Sequence, residues 1–407
     1  MGDDAVTAAP PASAETPAQP TEAAPRPLCV GVNALPFVPC TDARRETLLR
    51  GALRTMAAAF PADGFCVFAN HEGSGVLADD LRSFPNVTLV SLHMDDPEGE
   101  AAASRASRIL PRALRLNDVG VLWSPYGGVP LHPPCPVVAT LDEPPASPSP
   151  ATKPLRRLLD LLRSRPAAGN LREASCLTFL SECARQDFLK RGGARFDRTA
   201  VLPLAVEEAL TAPIPADTLS DRTMALLRSA DPFVLAVSST RTGSGLPLLA
   251  EAFGRLPPEL GHRLVVVGGR GPEEVAFRAA AEAIPFPDRI TRLEFVSRRD
   301  LAVLLRMAAV FAEPARREHA GFSVLEAMAV GVPVVSSRVD AIPEIGAETL
   351  RYVDSAKPED WAEALRETLV LPLDERARRA AGERTRAGRF SWEQTARVLM
   401  DVLRRHS

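Results

Sequence analysis

Residues Glu318 to Ser337 read EHAGFSVLEAMAVGVPVVSS, and this stretch indicates a loop, a helix, a turn and a strand in succession. Ser323 is predicted to cap the helix, because Glu326 follows three residues later at the spacing of a capping box. The helix is expected to end at Gly331, just after the last residue with helical apolar spacing. Val332 to Val335 then predict a buried strand.

Two acidic residues, Glu318 and Glu326, bracket the predicted start of this helix with seven residues between them. The loop contains Gly321, and a helix N-terminus gathers free N–H groups and a partial positive charge, which suits a diphosphate. Each acid also has a plain structural explanation. Glu326 can be a capping-box residue and nothing more, and Glu318 can be a solvated loop acid beside Arg316 and Arg317.

The register of the stretch closely resembles the Glu-x7-Glu signature of retaining nucleotide-sugar glycosyltransferases of the GT-B fold (family 4, group 1, mannosyltransferase-like). Their usual form is E-G-F-G-L-P-x-L-E-A-M-A-x-G-x-P-V-V, from which His319 and Ala320 depart. The resemblance implies that Glu326 holds the nucleotide ribose and that Glu318 is a catalytic residue near the donor sugar. It also implies a donor-binding turn formed by Gly321, Phe322, Ser323, Val324 and Leu325.

Length and composition limit the class of protein. A chain of 407 residues with 46% apolar residues suggests two globular domains. The net charge of −3 argues against general nucleic-acid binding, and no apolar run approaches the length of a membrane span. The N-terminus has no basic segment followed by an apolar one, so it does not read as a secretory signal. The six cysteines form no CxxC pair and are predicted to be free thiols, which favours a cytoplasmic location.

Strands alternate with helices in two successive series, which predicts an α/β protein with two parallel sheets and the ligand between them. With the resemblance, this becomes two Rossmann-like domains facing a central cleft. The predicted segments are a disordered Ala/Pro-rich tail (1–27), an N-terminal Rossmann-like acceptor domain (28–206), a linker (207–231), a C-terminal Rossmann-like nucleotide-sugar domain (232–390) and a C-terminal helix that crosses back to the first domain (391–407).

The predicted first strand, Leu28 to Leu35, is followed by a loop at 36–42 that contains Thr41 and faces the cleft. The resembling enzymes usually have two glycines in this loop and this chain has none, so its backbone cannot approach a ligand as closely. Tyr126 follows another predicted strand, Val119 to Trp123. We assign Thr41 and Tyr126 to the acceptor side, although Tyr126 is equally well explained as a half-buried tyrosine.

Asp142 follows the predicted strand from Pro136 to Leu141. The resembling enzymes carry a His-Asp pair at this place, which implies a catalytic position for Asp142. Leu141 stands where their histidine would be, and leucine can neither donate a hydrogen bond nor share a proton. The departing phosphate itself would then take the proton of the acceptor.

A Pro/Ser-rich segment at 143–154 is predicted to be a mobile loop over the cleft mouth. The following segment, 153–165, combines a leucine stripe with arginines and predicts a basic amphipathic helix. Such a helix can contact an anionic membrane, which suits a lipid-linked acceptor and a position at the inner membrane face. A packed surface helix is the ordinary explanation.

The resemblance places an arginine and a lysine for the donor diphosphate in the loop after the strand at 233–237. Both aligned positions are serine here, Ser239 and Ser244, and Arg241 lies in the same loop. A guanidinium can bind phosphate in a bidentate manner, so Arg241 is a candidate donor-binding residue. Arg270, in a glycine-rich loop after the strand at 264–267, is a second candidate, or a solvated arginine. The resemblance puts the nucleotide base near Val296.

Other segments extend the similarity over about Leu28 to Arg405. Segments that resemble the family lie at 180–184 (LSECA), 341–344 (AIPE), 352–354 (YVD) and 389–394 (RFSWEQ). The similarity is strong from Pro232 onward and rests mostly on strand pattern before it.

The function implied by the resemblance is retaining transfer of a hexose from a UDP- or GDP-hexose to a glycan or lipid-linked acceptor, as in polysaccharide biosynthesis. No cofactor and no metal are expected, because cations and backbone dipoles would hold the charge of the diphosphate. Two alternatives remain open. The departures at the first loop, Leu141, Ser239 and Ser244 fit a catalytically impaired relative that acts as a binding partner or scaffold. A nucleotide-sugar epimerase on a similar fold has less support from the motifs.

Overall fold

The computed structural model describes residues 26–39, 41–94, 102–142, 171–191, 196–214 and 219–407. The loop at 143–154, the basic segment at 153–165 and nearly all of the N-terminal tail lie outside these residues. None of the helices in the described ranges combines the length and the apolar composition that crossing a membrane requires. The described cysteines, Cys29, Cys66, Cys135, Cys176 and Cys183, are free thiols.

The first domain is built on a parallel sheet of seven strands in the order β3-β2-β1-β4-β5-β6-β7. Its central strands are almost wholly buried, which their continuous apolar runs indicate for a sheet covered on both faces. The strands are β1 (Cys29–Ala34), β2 (Gly64–Ala69), β3 (Val87–Ser91), β4 (Val121–Ser124), β5 (Val137–Leu141), β6 (Cys176–Phe179) and β7 (Thr199–Val201). The helices are α1 (Ala43–Ala59), α2 (His71–Leu81), α3 (Ala102–Leu116) and α4 (Glu182–Lys190).

The second domain has a parallel sheet of six strands in the order β10-β9-β8-β11-β12-β13. Its strands are β8 (Phe233–Val237), β9 (Arg263–Val267), β10 (Ile290–Leu293), β11 (Val310–Glu313), β12 (Val334–Ser337) and β13 (Arg351–Val353). Its helices are α5 (Asp221–Arg228), α6 (Leu246–Phe253), α7 (Glu274–Ala283), α8 (Arg298–Met307), α9 (Phe322–Val330), α10 (Ile342–Gly346), α11 (Pro358–Leu369), α12 (Leu373–Ala387) and α13 (Trp392–Arg405). Short 3-10 helices lie at Leu171–Glu173, Phe196–Arg198, Glu208–Leu210, Pro258–Leu260 and Pro287–Arg289.

The C-terminal helix α13 packs on α1 of the first domain. Gly51 of α1 makes room for Trp392, since a Cβ atom at this glycine would lie 2.3 Å from the indole ring. Thr395 Oγ1 donates to the Pro203 carbonyl at 2.8 Å, and Arg404 Nη2 lies 2.6 Å from Asp63 Oδ2. These contacts hold the C-terminal helix on the first domain.

Some element boundaries differ from those predicted. Ser323 is not the cap of α9: the helix starts after Gly321, which is left-handed (φ +82°) and offers no side-chain cap. The strand expected at Val332 to Val335 begins two residues later, at Val334, and the strand expected through Val296 ends at Leu293. Helix α2, HEGSGVLADDL, contains two glycines, which lower its helical propensity.

Glu383 of α12 is an acid in the core of the second domain, with only 1% of its surface exposed. Its Oε1 accepts the Val334 N–H at 3.3 Å, whereas Oε2 has no hydrogen-bond partner within the described structure. Burial raises the pKa of this carboxyl to about 8, although the Val334 N–H and the charges of Arg379 and Arg384 act in the opposite direction. Glu383 is therefore mostly protonated at neutral pH.

Glu383→Gln is expected to make the free energy of unfolding less dependent on pH. The folded protein keeps a proton that the unfolded chain releases above its ordinary pKa of 4.5, so stability falls as pH rises towards the folded-state pKa of about 8. Between these two pKa values the dependence is worth about 1.4 kcal/mol per pH unit, and the variant loses it. The free energy of unfolding of the variant should therefore rise relative to that of the wild type as pH rises. Urea unfolding at several pH values measures the difference. Glu375→Gln on the same helix is the control, and parallel curves for Glu383→Gln and the wild type would refute the idea.

Candidate functional site

The turn between β11 and α9 forms the centre of the candidate site. Gly321 must be glycine here, since its φ is +82° and a Cβ atom would lie 2.3 Å from Ile345 Cδ1. Because α9 begins without a side-chain cap, its first N–H groups are available to an anion. The side chains of Phe322, Val324 and Leu325 are buried in the core, so these residues can offer a ligand only backbone groups. Ser323 is the half-buried side chain of this turn.

Glu318 is held beside the start of α9 and is 8% exposed. Its Oε1 accepts the N–H groups of Gly321 at 2.9 Å and Ala320 at 3.2 Å, and its Oε2 accepts a bond from Arg241 Nη2 at 2.7 Å. Arg44 of α1 reaches towards it from the first domain, with Nη1 4.0 Å from Oε1. Glu318 is therefore a fixed acid at the cleft and not a solvated loop residue.

Glu313 is a second buried acid at this place, which the sequence reasoning missed. It ends β11, is 3% exposed and accepts the Ala315 N–H at 3.3 Å through Oε1. Burial, and next the negative charge of Glu318, raise the pKa of Glu313 well above its usual value. The sequence pattern that could have identified Glu313 is an acid at the end of an apolar strand, at the carboxyl end of a parallel sheet.

Glu326 is 7% exposed and forms an ion pair with Arg298 of α8, whose Nη2 lies 2.7 Å from Glu326 Oε1. Arg298 also binds Glu207, which follows β7 of the first domain, with Nε 2.9 Å from Oε2. Burial raises the pKa of Glu326 despite the charge of Arg298. The carboxylate thus has a specific cationic partner and no capping function, because the cap position belongs to Gly321.

The first domain contributes an arginine pair from the start of α1. Arg45 binds Asp142 through two hydrogen bonds, Nε–Oδ2 at 3.1 Å and Nη2–Oδ1 at 2.8 Å, and its guanidinium lies 5.8 Å from the Tyr126 ring centroid. Burial alone would raise the pKa of Asp142, but Arg45 and the charge of Arg44 lower it. Thr41 is exposed and donates to the Val38 carbonyl at 2.9 Å. The residues predicted for the acceptor side therefore lie around α1.

The loop after β8 shows what one of its two serines, Ser244, does. Ser244 is fully buried and donates to Glu273 Oε2 at 2.8 Å, while Gly243 N–H donates to Oε1 of the same residue at 2.8 Å. A Cβ atom on Gly245 would lie 1.9 Å from the Pro314 carbonyl oxygen, so this loop packs directly against the segment after β11. Arg241 is brought to Glu318 by this packing and also donates to the Arg317 carbonyl at 3.0 Å.

Two predicted donor-site residues lie apart from these contacts. Arg270 is exposed and pairs with Glu294, with Nη2 2.6 Å from Oε1, as a surface arginine does. Arg292, and not Arg270, binds the Gly268 and Gly269 carbonyls at 3.0 and 2.7 Å. Val296 is half-buried against the core, next to Ser297, which caps α8 by accepting the Asp300 N–H.

The described residues hold no group of three or more His, Cys, Asp or Glu side chains that could bind a metal ion. The cationic groups that the structure brings to the acids are arginines: Arg44, Arg241 and Arg298. Sequence reasoning missed Arg44 and Arg298, because each comes from a helix far along the chain from its acid. The arrangement can neutralise a diphosphate and hold a hydroxylated ligand beside it.

Residues 220–387 match the family model of glycosyl transferases group 1. A relative named D-inositol 3-phosphate glycosyltransferase, from Xylanimonas cellulosilytica, is 33% identical over 226 residues, which are 53% of this chain and 54% of the relative. A protein of the same name from Segniliparus rotundus is 37% identical over 145 residues, 34% of this chain and 32% of the relative. The chain thus spans about half or less of the length of these curated relatives.

Solved structures match almost the whole chain at low sequence identity. The Anabaena protein Alr3699/HepE, in complex with UDP, aligns with a TM-score of 0.65 at 16% identity and covers 92% of this chain and 99% of its own. Sucrose-phosphate synthase from Thermosynechococcus elongatus aligns with a TM-score of 0.68 at 18% identity, covering 93% and 98%. These likenesses and the two parallel sheets establish the GT-B fold, with two Rossmann-like domains.

Proposed function

We propose that this GT-B chain, whose second domain is of the group 1 glycosyltransferase type, transfers a hexose from a nucleotide sugar to a hydroxyl acceptor with retention of configuration. One observation carries the proposal. Glu318 and Glu326 flank an uncapped helix start, and each is buried against its own arginine, Arg241 and Arg298. A pure scaffold has no physical need for two buried acids in this register, since burying charge is costly.

The proposed reaction takes place at one face of the sugar. The bond between the anomeric carbon and the diphosphate oxygen breaks, and the acceptor oxygen bonds to the same face. The acceptor proton passes to the departing phosphate oxygen, because Leu141 offers no base. The first N–H groups of α9 and Arg241 stabilise the negative charge of the leaving diphosphate. We assign Asp142 to holding Arg45, since its bidentate pair leaves it ionised and engaged.

The donor we propose is a UDP-hexose, with a GDP-hexose as the second candidate. Structures of Alr3699/HepE are titled as complexes with UDP, with UDP and glucose, and with UDP-glucose, which supports testing uridine nucleotides first. A glycan or lipid-linked alcohol remains the proposed acceptor. The names of the two relatives add inositol 3-phosphate as an acceptor to test. Ser239 and Ser244 stand where the resembling enzymes have basic residues, and Arg241 supplies a cation in the same loop. This cation weakens the scaffold alternative.

Calorimetric titration with UDP, GDP, ADP and their hexose conjugates tests the donor site. Micromolar binding of one sugar nucleotide is expected, followed by product formation with a suitable acceptor. The anomeric proton coupling of the product, read by NMR, tests retention. Failure of every nucleotide and conjugate to bind would contradict the proposed function and leave a scaffold. Product with inverted configuration would contradict the mechanism alone.

A further inference from the structure

Helix α4 of the first domain has an N-terminus that is capped from both domains. Ser181, its own N-cap residue, accepts the Ala184 N–H at 3.0 Å. The two preceding N–H groups donate to one carboxylate of the second domain: Glu182 N–H to Glu344 Oε2 at 2.8 Å, and Cys183 N–H to Glu344 Oε1 at 2.6 Å. A carboxylate at a helix N-terminus benefits from both the helix dipole and charge-assisted hydrogen bonds.

The same helix also holds the loop that carries Glu318. Ser181 Oγ donates to the His319 carbonyl at 2.6 Å. Asp187, one turn further along α4, lies 3.5 Å from Arg317 Nη2 and 3.9 Å from His319 Nε2. The residues on both sides of Glu318 therefore contact the first domain through α4.

Glu344 and the Glu318 loop are joined within the second domain. Asp340 Oδ2 accepts the Glu318 N–H at 2.9 Å, and the Ala341 N–H donates to the Glu318 carbonyl at 3.0 Å. Arg386 of α12 fixes the backbone at Glu344 by donating to its carbonyl at 2.6 Å. Moving α4 away from Glu344 would thus pull on the loop at Glu318 and leave two N–H groups without partners.

A cavity of about 300 Å³ lies directly beside this contact, between the two domains. Its walls include Ser181, Ala320, Glu344 and Arg389. Because open space adjoins the carboxylate, apolar packing does not by itself force Glu344 against α4. The hydrogen bonds of Glu344 therefore supply the specific attachment at this place.

We propose that Glu344 is a positioning residue, which caps α4 across the domain boundary and thereby holds Glu318 in its place for glycosyl transfer. This inference rests on the proposed function. Among the hydrogen bonds and ion pairs of the described residues, Glu344 binds neither the donor-binding turn nor Glu326, so we assign it no direct contact with the donor. The reacting geometry would form fully only while α4 is docked on the second domain.

Glu344→Ala tests the inference by kinetics, calorimetry and hydrogen exchange on the full chain. Two charge-assisted hydrogen bonds are lost, but Ser181 and Asp187 still contact the loop. We therefore expect kcat to fall only about tenfold, while the Kd for the nucleotide sugar stays within about twofold. Exchange in peptides that contain Glu182 and Cys183 should become faster. Glu344→Gln keeps one accepting oxygen, so its kcat and its exchange rates should lie between those of the wild type and those of Glu344→Ala. Glu359→Gln, which breaks a surface ion pair with Arg255 in the second domain, is the control.

Asp187→Asn is a second variant, should Glu344→Ala fold poorly, and is expected to change kcat in the same direction by a smaller factor. Unchanged exchange at Glu182 and Cys183 in Glu344→Ala would overturn the capping contact. Faster exchange with an unchanged kcat would overturn the positioning role. A wild-type chain that binds no nucleotide sugar and transfers no hexose would contradict the proposed function and this role together, whereas the exchange measurement still decides whether the contact exists.

Discussion

Glu318→Gln is expected to lower kcat by about 100- to 1000-fold, the usual cost of removing one group that stabilises charge in a transition state. Glutamine keeps an oxygen for the Gly321 and Ala320 N–H groups, so the loop should hold its shape. It removes the negative charge that fixes Arg241 at 2.7 Å. Initial rates at saturating donor measure the effect, with thermal melting of the same sample as a test of folding.

Glu294→Gln is the matched control for this substitution. Glu294 also binds an arginine, Arg270, with Oε1 2.6 Å from Nη2, but both side chains are largely exposed on the surface. Its loss should leave kcat unchanged, because exposed ion pairs contribute little. If Glu318→Gln kept more than about a tenth of the wild-type rate, Glu318 would be a structural acid and the proposed function would lose one of the two acids on which it rests.

Glu326→Ala is expected to weaken binding of the nucleotide sugar by about 10- to 100-fold, the range for losing hydrogen bonds to a charged group. Under the proposed function the carboxylate accepts hydrogen bonds from the ribose hydroxyls, and alanine cannot accept them. The variant should also lose stability, because Glu207 is then the one acid paired with Arg298 among the described residues. We expect a loss of about 2 kcal/mol, less than the 3–5 kcal/mol typical of a broken buried pair. Calorimetry gives the Kd, and urea unfolding gives the stability.

Glu207→Gln separates the two effects of Glu326→Ala. It removes the other acid from Arg298 and leaves the contact between Arg298 and Glu326 in place. Donor binding should therefore stay close to that of the wild type. A Glu326→Ala protein that is folded and binds the donor as tightly as the wild type would show that Glu326 serves only its ion pair with Arg298. The nucleotide would then have to be held elsewhere in the cleft.

Several elements were predictable because their signals are local. The signals of helix α1 are of this kind, since Asp42 caps it by accepting the Arg45 N–H and apolar residues follow at helical spacing. Strand β8 also spans the predicted residues, because FVLAV is a continuous apolar run of strand length. The prediction of Ser323 as a cap was wrong because a tertiary contact, and not the local signal, decides where α9 begins. The capping-box spacing is present, but the left-handed Gly321 packed on Ile345 starts the helix two residues earlier.

The sequence by itself determined the alternation of strands and helices and the spacing of Glu318 and Glu326 around one helix start, because periodicity and turn residues act over short distances. Only the tertiary structure decided the partners of these acids. Arg241 reaches Glu318 across 77 positions, and Arg298 reaches Glu326 across 28. Long charged side chains have no periodic signature that names a partner, so the pairing depends on strand order and on which loops meet at the edge of the sheet. The same holds for Glu344, whose carboxylate caps a helix that lies 161 positions away in the other domain.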